Sequence, residues 1–156
     1  MENKYFMLQV YIRPILDYNL VFYYPRTREL VSLLEKVQRR FTKYICPRGL
    51  SYHQRLELLN GMSIEKSYKI MALTTIYKIL FCGFSVEGFE YKLFDSVTRG
   101  SAYKLSVPFC KTSVRKSFPL LRHIQTWNAL QPKPKDLLSL TAFRHFLTGN
   151  VHETQA

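Results

Sequence analysis

The sequence is short of acid. Among its 156 residues 11 acidic side chains face 23 basic ones, a formal charge of +12. Three of the acids are aspartates, Asp17, Asp95 and Asp136, far apart, and no Asp-Asp, Asp-Glu or Glu-Asp dipeptide occurs. Chemistry that needs clustered carboxylates, such as phosphoryl transfer on two cations about 4 Å apart, therefore starts at a disadvantage. Long apolar runs are missing as well. The longest uncharged stretch is the ten residues His123 to Pro132, whereas a membrane span takes roughly 20 apolar residues. The chain is expected to be soluble or peripheral, with no membrane partner. Cysteine is scarce: Cys46, Cys82 and Cys110 are odd in number and at least 28 positions apart, which suits neither a disulfide framework nor a zinc site. Reduced thiols in an intracellular protein, nuclear or cytoplasmic, are the expectation. The apolar start Tyr5 to Ile12 is broken by Gln9 and followed by Arg13-Pro14 without a small-residue cleavage site, which argues against a secretory signal.

What is present is apolar content and positive charge together. A 47% hydrophobic share with 11 tyrosines, 11 phenylalanines and one tryptophan is too rich for a disordered polycation. The length predicts one domain, placed at residues 1–148 with a flexible tail at 149–156. The charge is uneven: Lys104, Lys111, Arg115, Lys116, Arg122, Lys133 and Lys135 follow one another with no acid between them.

The expected fold is mainly α, a compact, bundle-like unit with a small β-hairpin after residue 100. The clearest element runs from Arg28 to Ile45, where Leu30, Leu33, Leu34, Val37, Phe41, Tyr44 and Ile45 recur at helical spacing. At about 100° per residue, Lys36, Arg39, Arg40 and Lys43 gather on nearly the opposite side. Cys46-Pro47-Arg48-Gly49 ends this helix. Ser51 with Gln54 reads as a capping box for a short helix terminated by Gly61. Ser63 caps a longer one over Ile64 to Cys82, which carries apolar residues on several faces and is taken as the central core element. Tyr103, Leu105 and Val107 alternate with polar neighbours as in a half-buried strand, with Val114 to Phe118 as its hairpin partner. Pro119 suits the first turn of a helix reaching Leu130, and Thr141 to Leu147 closes the chain as a last short helix.

The order of these segments resembles a known family. Tyr11-Ile12-Arg13-Pro14-Ile15-Leu16-Asp17-Tyr18 and Leu33 through Lys43 resemble the region just after the polymerase core in reverse transcriptases of LINE-type (non-LTR) retrotransposons. Ser51-Tyr52 with Arg55-Leu56, Tyr77-Lys78-Ile79-Leu80, Thr98-Arg99-Gly100, Arg115-Lys116-Ser117-Phe118, Trp127-Asn128-Ala129-Leu130-Gln131-Pro132 and Phe143-Arg144 follow in the family's order. The resemblance covers residues 8 to 147. It implies a parent protein with an endonuclease, an RNA-directed DNA polymerase whose catalytic aspartates bind two metal ions, and a C-terminal region that helps to hold nucleic acid. The present chain is similar to the last of these. It has no match to the family's Ala-Asp-Asp turn, so it is expected to be non-catalytic by itself, with no cofactor and no metal, and to be a truncated copy or fragment.

Two clusters are expected to hold RNA or DNA by its phosphates. Lys36, Arg39, Arg40 and Lys43 form the first, since cations at helical spacing gain from counterion release; the bland reading is a solvated face with a Glu35–Arg39 pair. Arg115 and Lys116 form the second, against the reading that they protect a sheet edge. Arg99, beside Gly100, is a third candidate or an ordinary turn arginine. Phe41, Tyr68, Trp127 and Phe143 are expected in the core, whereas Tyr23 and Tyr24 either stack on bases or plug their helix onto the core. A hydrolase using Cys46 or Cys110 with His53 or His123 lacks any surrounding signature, and His145 with His152 lacks zinc-ligand spacing. The competing expectations are a protein-interaction module, docking on an acidic partner or on the parent's polymerase domain, and a decayed retroelement remnant with no independent activity.

Overall fold

A computed structural model describes residues 6–18, 20–25, 27–87, 89–93, 103–130 and 137–150. The described part is mainly α. A π-helical turn, Leu8–Ile12, leads into α1 (Arg13–Asp17), followed by α2 (Leu20–Tyr23), α3 (Arg28–Ile45), α4 (Tyr52–Leu58) and α5 (Ile64–Phe81). After these come α6 (Ser113–Lys116), a 3-10 turn (Leu121–His123) running into α7 (Ile124–Ala129), and α8 (Leu140–Asn150). The backbone divides into two compact units, with the boundary between Tyr68 and Lys69 inside α5.

In the first unit, local chemistry sets the helix ends. The Ser51 hydroxyl accepts from the Gln54 N–H while the Gln54 side chain accepts from the Ser51 N–H at 2.9 Å, a complete capping box. Gly61 closes the same turn by donating to the Leu56 carbonyl at 2.8 Å. The Ser63 hydroxyl accepts from the Lys66 N–H at 3.2 Å at the start of α5. Helix α3 has the predicted bounds and stops at extended Cys46, whose N–H still reaches the Thr42 carbonyl. Ile45, Cys46 and Leu59 form a buried cluster against which Ile12 and Leu50 pack. Tyr24 lies buried, its ring stacked on Tyr68 with centroids 3.8 Å apart, so this aromatic plugs α2 onto the core. Tyr23 remains exposed and donates its hydroxyl to the Leu16 carbonyl.

The second unit has an aromatic and aliphatic core. Ala72, Leu73, Ile76, Leu105, Leu120, Ile124, Phe143 and Leu147 are almost fully buried. Phe143 lies 4.7 Å from the Tyr77 ring and 5.6 Å from the Trp127 ring, and the Tyr77 hydroxyl donates to the Leu137 carbonyl. The expected coverage of α5 on several faces holds, since consecutive positions from Ala72 to Thr74 are buried. Tyr68, Trp127 and Phe143 are core residues as expected; Phe41 is not, at 37% exposed.

The predicted hairpin does not form among the described residues. Val114 belongs to α6, whose Thr112 cap accepts from the Arg115 N–H at 3.2 Å. The alternating segment after Tyr103 finds other partners. The Asn128 side chain accepts from the Leu105 N–H and donates to the Leu105 carbonyl, each at 2.8 Å, while the Trp127 ring N–H donates to the Tyr103 carbonyl at 2.9 Å. On its other side the segment meets residues 92 and 93: Ser106 donates to the Lys92 carbonyl, and Leu93 and Leu105 form an isolated antiparallel bridge. An amide side chain carries the same donor and acceptor pair as a peptide group, so Asn128 takes the place that a second strand would fill. Asn128→Ala is expected to lower stability in urea unfolding by about 2 kcal/mol, two hydrogen bonds being lost from a half-buried site.

His123 supplies a pH dependence. Its imidazole is buried beside Arg122 and Lys69, and burial first, then those two cations, lowers its pKa to about 4. The unfolded chain protonates this group near pH 6.5. Between these values the unfolded state binds more protons, so the contribution is fully present above about pH 6.5 and is lost as pH falls toward 4. Its size is on the order of 3 kcal/mol. The stability of the chain minus that of His123→Gln, followed from pH 7 to 4.5, is expected to shrink on acidification; a constant difference excludes this origin.

Candidate functional site

Helix α3 carries the first predicted cluster, and its exposure pattern departs from its hydrophobic pattern. On a helical wheel its surface splits into three faces roughly 120° apart. One is buried and mostly polar: Glu35 is 7% exposed, Gln38 3% and Thr42 0%. The second is the apolar row Leu30, Leu33, Val37, Phe41 and Tyr44, which is 37% to 72% exposed. The third is Lys36, Arg39, Arg40 and Lys43, all exposed. The basic row thus lies about a third of a turn from the apolar row rather than opposite it, and the apolar row is not the side that faces the core.

The buried face is polar because of what it meets. Arg13 of α1 donates through Nε to the Asp17 carboxylate at 2.7 Å, through one terminal nitrogen to the Gln38 side-chain oxygen and to the Met62 carbonyl, and through the other to the Ser67 hydroxyl. Gln38 also donates to the Met62 carbonyl at 2.8 Å. Glu35 accepts from the Tyr52 hydroxyl and, at 3.1 Å, from the Ile64 N–H that opens α5. A carboxylate at a helix N-terminus satisfies a free donor and opposes the helix dipole. Burial first, and then this contact with Glu35, raise the pKa of the Tyr52 hydroxyl. A cavity of about 210 Å³ adjoins Arg13, Asp17, Gln38, Thr42 and Ser67.

The Glu35–Arg39 pair of the bland reading does not form, while the four bases do stand on a solvated face. Glu35 is turned inward, and the Arg39 guanidinium lies over the Tyr52 ring instead, 4.9 Å from its centroid. Among the described residues no salt bridge involves Lys36, Arg39, Arg40 or Lys43. The second cluster sits elsewhere: Arg115 and Lys116 are exposed on α6, with Arg115 5.6 Å from the Phe118 ring centroid. The edge-protection reading falls away there, since these residues are helical. Arg99 lies outside the described residues, as do Pro132, Pro134 and the tail from residue 151.

Cys46 is buried and burial raises its thiol pKa, the reverse of what activates a nucleophile. His53 faces Glu57 at 3.6 Å on an exposed surface. Among the described residues no group of three His, Cys, Asp or Glu side chains is placed to hold a metal ion, and no helix is long and apolar enough to cross a membrane.

No family model matches the chain, and no solved structure matches it. The chain is similar to an uncharacterized protein of Caenorhabditis elegans, 32% identical over 83 residues, which is 50% of this chain and 42% of that protein. The chain thus spans less than half of this relative's length.

The exposure pattern of α3 makes an inverted expectation for mutagenesis. Val37→Ser with Phe41→Ser is expected to change stability by less than about 1 kcal/mol, although two large apolar groups are lost. Arg13→Leu is expected to cost about 3 kcal/mol, because it strands Asp17, Gln38 and Ser67. Urea midpoints of the two variants check the order.

Proposed function

We propose that this chain is the non-catalytic C-terminal part of a non-LTR retrotransposon reverse transcriptase, which positions template RNA or target DNA through phosphate contacts. The observation that carries the reading is the row Lys36, Arg39, Arg40 and Lys43: four cations on one exposed helix face, unneutralised by salt bridges among the described residues. Such a row suits a phosphate backbone, and it reads no base, so binding is sequence-tolerant. Arg115 and Lys116 serve as a second contact. The ordered segments from Tyr11 to Arg144 support the parentage, and the lack of paired aspartates supports the absence of polymerase chemistry.

The exposed row Leu30, Leu33, Val37, Phe41 and Tyr44 favours a second reading, in which α3 is one half of a protein interface whose other half belongs to the parent enzyme or to another protein. The two readings centre on different faces of one helix, which meet at Arg40.

A salt titration tests the first. Binding to a single-stranded RNA and to an RNA duplex is expected to be measurable at about 50 mM salt and to weaken steeply as salt rises. Lys36→Ala with Lys43→Ala is expected to reduce the slope of log affinity against log salt by about 1 to 2. No binding at low salt, or binding with no salt slope, excludes the phosphate reading.

A further inference from the structure

We propose that the apolar row of α3 seats an acidic amphipathic helix of a partner protein. This rests on the interface reading of α3 and shares only Arg40 and Lys36 with the phosphate reading. Five large apolar side chains, Leu30, Leu33, Val37, Phe41 and Tyr44, are exposed along one helix while its polar side is buried. Their 3, 4, 4, 3 spacing makes a ridge about 21 Å long at 1.5 Å per residue. A ridge of that form packs into the groove of another helix of about four turns.

Charge selects the partner. Arg40 borders the row, with Lys36 and Lys43 behind it, while Glu29 stands on that border only in the first turn of α3. A partner carrying acids beside its apolar stripe meets Arg40 and Lys36, and a base at its end facing Glu29 fixes its direction. A second copy of this chain is disfavoured, because each copy carries +12 and would bring a cationic border against its twin. A lipid surface takes an apolar row without regard to the acid at one end of its border, and flotation with anionic vesicles reports it.

The test uses the full chain and a labelled synthetic peptide of about four helical turns, with leucines at helical spacing and glutamates flanking them. A glutamine-for-glutamate peptide and a scrambled peptide serve as controls. Saturable binding to the acidic peptide is expected, weaker for the glutamine peptide and absent for the scramble. Val37→Ser with Phe41→Ser is expected to weaken it roughly tenfold or more, with unchanged urea midpoint. Arg40→Glu is expected to abolish the preference for acid over glutamine. Lys36→Ala with Lys43→Ala, the pair that reports on RNA, is expected to move peptide affinity less than RNA affinity, so the two readings fail separately. Four results overturn the proposal: equal binding of the scramble, indifference to the apolar substitutions, flotation of the chain with phosphatidylserine vesicles in place of peptide binding, or dimers in sedimentation that the apolar substitutions dissolve.

Discussion

A guanidinium that reaches four acceptors in separate parts of the chain decides how the first unit is built. Arg13 bonds Asp17 within its own helix, Gln38 on α3, the Met62 carbonyl before α5 and Ser67 inside α5. A partly buried guanidinium must keep its donors occupied, and each acceptor it holds is thereby confined. Gln38 is drawn inward by this contact, and Thr42 and Glu35 share its side of the helix. Glu35 then meets the first N–H of α5. The rotation of α3 about its own axis follows from polar satisfaction, and its two remaining faces, one apolar and one cationic, turn to solvent together.

That rotation is where sequence reasoning and structure part. The bounds of α3, the capping box at Ser51 and the Ser63 start of α5 were legible, since periodicity and side-chain caps are local. Which face of α3 is covered was not. A hydrophobic pattern tells which side is apolar, and its burial is inferred from the rule that apolar sides pack inward. Here the competing partners are a backbone carbonyl and a backbone N–H, Met62 and Ile64, which leave no trace in residue types. One signal was available: Glu35, Gln38 and Thr42 are polar at spacings of three and four, a periodic polar row beside the apolar one.

The hairpin failed for a related reason. Alternation at Tyr103, Leu105 and Val107 reports an extended backbone with one side covered, and it is silent on what completes the hydrogen bonds. The work of Trp127 and Asn128 in this fold is to hold residues 103–105. Of the candidate nucleic-acid contacts, the four on α3 share a face as the wheel predicts. Arg115 and Lys116 sit on a helical turn rather than a strand, which the Thr112 cap and a short polar run could have suggested.

The amide of Asn128 has a consequence for self-association through the backbone. Leu105 spends both of its peptide groups on that side chain, and Ser106 is engaged with Lys92 on the other flank. An extended segment hemmed on both sides offers no row of free donors and acceptors for a foreign strand to zip onto. An aspartate in its place keeps the acceptor for the Leu105 N–H and lacks the donor to the Leu105 carbonyl, so the amide nitrogen of one side chain carries half of this protection against strand addition.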